Sequence, residues 1–172
     1  MKSLVLLGVA VLSAGTVAAG DPAVGVFSEL NGDYRRIGAE LRLAPMWQRD
    51  WGAWHAGVNP QFEVSRFRYT GRVSGPDRMN QAGAIAMFRT VYGDGGFRPY
   101  GELGLGAALF SRTELGAREF STAFQFSRHA GLGIEFGGRF TAGWRYSHYS
   151  NANIKTPNNG IDLHHLVLGM SF

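Results

Sequence analysis

A histidine, a serine and an acid occupy the last polar stretch of the chain. Residues 145–162 read Arg-Tyr-Ser-His-Tyr-Ser-Asn-Ala-Asn-Ile-Lys-Thr-Pro-Asn-Asn-Gly-Ile-Asp. His148 and Ser150 are two residues apart. On a strand they share one face, with Cα atoms about 6.6–7 Å apart, and leaning side chains can close that gap to a hydrogen bond. If the flanking segments form a hairpin with His148 opposite Asp162, the two Cβ atoms lie about 4.5–5.5 Å apart. Nucleophile, base and orienting acid are then together: Ser150 attacks, His148 takes its proton, and Asp162 fixes the tautomer and stabilises the imidazolium. Asn151, next to the nucleophile, is a candidate donor to a developing oxyanion, as are the backbone N–H groups of Ala152 and Asn153. The competing reading is a polar rim, since Ser, Asn and His are common where a barrel strand meets water.

The elements around these residues set their direction. In the segment before the loop, Phe140, Ala142, Trp144, Tyr146, His148 and Ser150 share a face. In the segment after it, Asp162, His164, Leu166, Leu168, Met170 and Phe172 share a face. Pairing His148 with Asp162 pairs Tyr146 with His164, Trp144 with Leu166, Ala142 with Leu168 and Phe140 with Met170. Apolar then meets apolar, which is how register is specified. This face has an apolar lower half, so it is the outer, lipid-facing one. Polar groups facing lipid are costly and call for a functional explanation.

The whole chain repeats this alternation. Eight segments, about 23–30, 34–45, 53–69, 79–92, 98–113, 121–137, 139–151 and 160–172, are separated by turn residues such as Gly75-Pro76-Asp77, Gly93–Gly96 and Gly137-Gly138. Eight is the smallest common closed membrane barrel, and strands of 9–11 residues cross a bilayer when tilted. Glycine is 25 of 172 residues and aromatics are 13%, a mixture that disfavours helices and suits strands. The absence of Cys excludes disulfides, a thiol nucleophile and a Cys-based zinc site. The first residues have the layout of a secretory signal peptide: Met1-Lys2, an apolar run from Leu4 to Leu12, and small residues at Val17-Ala18-Ala19. That run is too short to span a bilayer as a helix. The division expected is a signal peptide over 1–19 and a barrel over 20–172.

Alternation alone suits a soluble barrel as well as a membrane one. The terminal Phe172, with Met170, Leu168 and Leu166 on its face, resembles the assembly signal of bacterial outer-membrane barrels. The fold class expected is therefore all-β, an eight-stranded antiparallel transmembrane β-barrel in the bacterial outer membrane. Closure satisfies every backbone polar group without an edge. Glu40, Arg42, Glu63, Glu102, His129 and Glu135 are expected to fill a polar interior. The fourth segment alternates too weakly to assign its faces. The third rises toward the surface through Arg66, Arg68 and Arg72, which are candidates for phosphate contacts because guanidinium forks match phosphate bidentately.

His148-Tyr149-Ser150-Asn151, followed by Lys155, Pro157-Asn158 and Gly160-Ile161, resembles the signature of the lipid A 3-O-deacylases, the PagL-type outer-membrane enzymes. The likeness extends to Tyr100-x-Glu102-x-Gly104-x-Gly106 and to the end of the chain. The resemblance implies a metal-free hydrolase acting on the ester-linked 3-hydroxyacyl chain at the 3 position of lipid A. It implies Ser150 as nucleophile, His148 as base, Asn151 as oxyanion donor and Asn158 as a supporting loop residue. The family's acid is typically Glu, and Asp162 stands at the matching position with one methylene less. Asn153 stands near a position that is commonly Gly. The partners expected are lipid A or lipopolysaccharide as substrate and outer-membrane lipid. A homodimer is left open, and no cofactor and no nucleic acid are expected. The alternative is a non-enzymatic small outer-membrane barrel for adhesion or membrane integrity.

Overall fold

The computed structural model describes residues 21–29, 32–72 and 75–172. The expected signal peptide lies outside the described residues. Eleven strands follow: β1 (Ala23–Glu29), β2 (Tyr34–Arg42), β3 (Trp47–Trp51), β4 (Trp54–Tyr69), β5 (Arg78–Tyr92), β6 (Phe97–Phe110), β7 (Glu114–Leu115), β8 (Arg118–Glu119), β9 (Phe124–Phe136), β10 (Phe140–Ser150) and β11 (Ile161–Ser171). Their antiparallel order is β2-β1-β11-β10-β9-β6-β5-β4, and pairing of β4 with β2 closes the circle. The expected eight-stranded barrel is the fold.

Two segments differ from the expected ones. The second does not end at residue 45 but resumes as β3, which continues along β4 beyond β2. Pro45 and Pro60 each lack an N–H, so the ladder cannot run unbroken here. Pro60 still accepts from Leu43 N–H at 2.9 Å and Val58 from Met46 N–H at 2.8 Å, which carries the pairing across the break. The hairpin therefore turns at Gly52-Ala53. The fifth and sixth segments are shorter than expected, because β7 and β8 form a separate hairpin between β6 and β9.

The barrel's two ends differ. One holds both ends of the described chain and the short turns at Gly52-Ala53, Gly93–Gly96 and Gly137–Arg139. Gly137 and Gly138 have φ of 58° and 74°, a conformation that glycine adopts without the Cβ penalty. The other end holds the longer connections, including 111–123 and 151–160. Short turns face the periplasm and long loops the exterior in such barrels. An epitope inserted at Thr156 should therefore be reached by antibody on intact cells. Labelling only after permeabilisation would reverse the orientation.

The outer wall is apolar. Val26, Ile37, Val64, Leu103, Leu105, Leu132, Leu166 and Leu168 all stand exposed. At the short-turn end Trp47, Trp51, Trp54, Tyr92, Phe97 and Phe140 form an aromatic belt. The interior is filled as expected by Arg42, Glu63, Glu102, His129 and Glu135, all buried. Their partners include three cations the alternation did not single out. Arg145 donates to Glu102 at 2.6 Å and also to Glu40. Arg89 bridges Glu102 and Glu135, both at 3.0 Å. Arg36 donates to Glu63 at 2.9 Å. Removing one member of such a buried pair typically costs about 3–5 kcal/mol. The lumen is not polar throughout: Phe67, Met79, Phe110, Leu115, Phe120, Tyr149, Ile161 and Leu163 form an apolar plug at the long-loop end. In β5 the inward residues include Ile85, Met87 and Val91, and the outward ones include Ala82, Ala84 and Ala86. Apolar residues on both faces are the reason its alternation was weak.

Candidate active site on the outer wall

The hairpin of β10 and β11 has the expected register: His148 faces Asp162, Tyr146 faces His164, Trp144 faces Leu166, Ala142 faces Leu168 and Phe140 faces Met170. The neighbours of His148 on its strand, Ser147 and Tyr149, point into the barrel and are buried. His148, Ser150 and Asp162 therefore face outward, above the apolar wall. Tyr149 anchors this end of β10 by donating its hydroxyl to Glu63 at 2.6 Å.

His148 Nδ1–H donates to Asp162 Oδ1 at 2.7 Å, which leaves Nε2 free to act as a base. Asp162 Oδ1 also accepts from the Tyr146 hydroxyl. Tyr146 was not among the expected site residues. It lies diagonally from Asp162, and its long side chain spans the offset. Among the described residues no hydrogen bond joins Ser150 Oγ to His148. Such contacts are often long in ligand-free enzymes and tighten with substrate. Gly160 packs behind both side chains, with the Tyr149 carbonyl oxygen 3.2 Å from where a Cβ would stand. A Cβ built on it would lie 3.3 Å from His148 Cε1 and 3.6 Å from Ser150 Cβ, and its φ is +57°. Gly160→Ala should leave a folded barrel with ester hydrolysis lowered roughly 10- to 100-fold, since small displacements of reacting groups have effects of that size. Unchanged hydrolysis by a variant with normal heat-modifiable gel mobility would separate Gly160 from the site.

The loop after Ser150 begins with a tight turn. Ile154 N–H donates to Asn151 O at 3.1 Å, and Ala152 and Asn153 have φ of 54° and 61°. Both central residues are left-handed, as in a type I′ turn. Asn153 thus adopts the conformation that glycine would supply, which Asn tolerates better than most residues. The i→i+3 bond does not use the N–H groups of Ala152 and Asn153.

Asn151 is turned the other way. Its side chain is buried, and Nδ2 donates to Phe120 O at 2.7 Å and Lys155 O at 2.8 Å. Its amide hydrogens are therefore committed to the loop, and the expected donation from that side chain to an oxyanion is not the arrangement found. The inward parity of residue 151, one past the outward Ser150, is the reason. Asn158 Oδ1 accepts from Asn151 N–H at 3.1 Å, and its Nδ2 donates to Asn153 Oδ1 at 3.2 Å, so Asn158 ties the two sides of the loop together. The β7–β8 hairpin clamps the same loop. Arg118 donates to Gly160 O at 2.7 Å, Glu119 N–H to Asn159 Oδ1 at 2.8 Å and Ser121 to Pro157 O at 2.6 Å.

Arg66, Arg68 and Arg72 do not join this site. β4, which carries Arg66 and Arg68 and ends just before Arg72, is four strands from β10 in either direction around the circle. They reach the expected height on the opposite wall. A cation beside the site is Arg128 of β9, directly opposite His148 in register and exposed. Among the described residues no group of three or more His, Cys, Asp or Glu side chains could hold a metal ion.

A family model described as "Lipid A 3-O-deacylase (PagL)" matches residues 33–171. The chain belongs to the lipid A 3-O-deacylase family. It is 36% identical over 141 residues to the lipid A deacylase PagL of Bordetella bronchiseptica, covering 81% of this chain and 77% of that one. It is 30% identical over 173 residues to the lipid A deacylase PagL of Pseudomonas aeruginosa, covering 96% of each. The fold matches the crystal structure of the outer membrane enzyme PagL with a TM-score of 0.71 at 21% identity, over 87% of this chain and 99% of that one. It also matches the N-terminal β-barrel domain of Pseudomonas aeruginosa OprF with a TM-score of 0.54 at 15% identity, over 89% and 98%, a likeness of fold alone. Membership in the deacylase family makes the chain an outer-membrane enzyme and sets aside the non-enzymatic barrel. Against the family's usual Glu, Asp162 is short by one methylene, yet it reaches His148 at full hydrogen-bond contact.

Proposed function

We propose that the chain removes the 3-hydroxyacyl group esterified at the 3 position of lipid A, using Ser150, His148 and Asp162 on the lipid-facing wall. The observation that carries this reading is the 2.7 Å contact of His148 with Asp162 on the outer face, with Ser150 two residues further on the same face. His148 Nε2 takes the proton as Ser150 Oγ attacks the ester carbonyl carbon. Asp162 stabilises the resulting imidazolium. Backbone N–H groups of Ala152 and Asn153, and the second Nδ2 hydrogen of Asn158, are the donors near the developing oxyanion. His148 returns the proton to the departing sugar oxygen, which leaves an acyl-Ser150 ester. Water activated by His148 then releases the 3-hydroxy fatty acid and restores Ser150. The apolar wall beneath, with Trp144 and Leu166, is where acyl chains of a membrane-embedded substrate run, and Arg128 is at the height of its phosphates.

Lipid A from cells producing the protein should lose one 3-hydroxyacyl group by mass spectrometry. Arg128→Gln should raise KM for bisphosphorylated lipid A and leave KM for its dephosphorylated form unchanged. Unaltered lipid A in producing cells, or loss of a chain from another position, would overturn the reading.

A further inference from the structure

The wall opposite the triad carries an amphipathic cleft of its own. At the long-loop end, Arg66 of β4, Arg78 of β5 and Arg112 beyond β6 line a cleft of about 420 Å³ together with Asn80 and Ser111. Directly adjoining it, and sharing Arg66, Asn80 and Ser111, is a groove of about 600 Å³ that runs over Val64, Ala82 and Leu109. The groove exists because Ala82 sits in register between the larger Val64 and Leu109. The cleft is cationic and partly pre-set: Arg66 Nε donates to Asn80 Oδ1 at 3.1 Å. Beside it, Arg68 is directly opposite both Arg78 and Arg35 across the ladder. Like charges directly opposite one another are destabilising. Asp77, 3.5 Å from Arg78 and exposed, is a weak counter-charge for such a row. One exposed carboxylate against this row of guanidinium groups leaves it an excess of positive charge that suits an anion, and the groove below it suits an apolar chain.

We propose that this cleft is a second, non-catalytic binding site for a phosphorylated, acylated glycolipid of the outer leaflet. Arg66, Arg78 and Arg112 hold a phosphate, and one acyl chain lies over Ala82. The occupant is lipid A, because the cleft lies at the end of the barrel that faces the exterior, where phosphates of that leaflet are found. A guanidinium cluster matches phosphate bidentately, and the adjoining apolar groove selects a lipid over a free ion. A molecule centred on Ala82 is not the one undergoing hydrolysis, because β5 is three strands and β4 four strands from β10, and even the β6 rim of the groove is two strands away. The inference therefore needs the orientation of the barrel and not the role of Ser150.

Native mass spectrometry of the refolded Ser150→Ala protein in detergent, titrated with bisphosphorylated lipid A, counts the sites without turnover. Free fatty acid in the same sample would report on the triad separately. The combined Arg66→Gln, Arg78→Gln and Arg112→Gln substitutions should remove one bound lipid A, or weaken it at least about tenfold, as expected for the loss of charge-assisted contacts. Ala82→Trp, which fills the groove and leaves the charges in place, should displace the same lipid. Dephosphorylated lipid A should leave this site empty. An unchanged count and affinity in the arginine variant would overturn the site. Equal binding of dephosphorylated lipid A would overturn its chemistry, and equal binding of phosphatidylglycerol would overturn the choice of occupant.

Discussion

Ser150→Ala and His148→Asn should each lower deacylation by roughly three to six orders of magnitude, the range seen when one member of a Ser/His unit is removed. The two act on one proton and one carbonyl, so the double variant should be no slower than the worse single one. Independent contributions would instead multiply. Both positions lie on the outer wall and make no contact with the buried ion-pair network of Arg36, Arg89 and Arg145. The variants should therefore refold and show unchanged heat-modifiable gel mobility. A double variant far slower than either single one would show that the serine and the histidine do not act as a unit.

Asp162 is the second large case. Its Oδ1 receives both the His148 Nδ1–H and the Tyr146 hydroxyl. Asp162→Asn offers that histidine an amide that can donate, which favours the wrong tautomer. It should lower kcat by about 10²–10⁴-fold with KM little changed, as replacement of a triad acid does. Asp162→Glu keeps the charge and the acceptor and should stay within about tenfold of the parent, because one methylene is small against the reach already shown. Tyr146→Phe removes one of the two donors and leaves the imidazole contact, so its effect should be smaller than that of Asp162→Asn. Equal kcat in the parent and in Asp162→Asn would reduce Asp162 to a rim residue and shift attention to His164 on the same face.

The hairpin register could be read from the sequence because pairing His148 with Asp162 sets apolar residues against apolar ones below the loop, and β10 and β11 pair that way. That register brought His148 to Asp162 and turned both outward. Residues whose placement depends on more than one hairpin were harder. Arg66, Arg68 and Arg72 were read at the right height, but height along a strand does not reveal position around the barrel. Position follows from closure between β2 and β4, a contact distant in sequence. Arg128, by contrast, was visible as a basic residue with the outward parity of Phe124, Phe126 and Leu132, and that was the available signal for it. Tyr146 was read against its direct partner His164, and its diagonal reach to Asp162 depends on side-chain length. Asn151 follows the plain alternation rule: one residue past Ser150 it faces inward, where two carbonyls take its amide hydrogens. The β7–β8 clamp left no periodic trace, because two-residue strands are too short to alternate.

The central claim is that Ser150 breaks the 3-position ester at the outer surface of the barrel. It is tested most directly by incubating purified bisphosphorylated lipid A with the refolded parent protein and with Ser150→Ala, then measuring free 3-hydroxy fatty acid and the mass of the remaining lipid. The parent should release one 3-hydroxy fatty acid per lipid A and leave a lipid lighter by that acyl group, while Ser150→Ala should leave the lipid intact. Equal release by the two proteins would contradict the account.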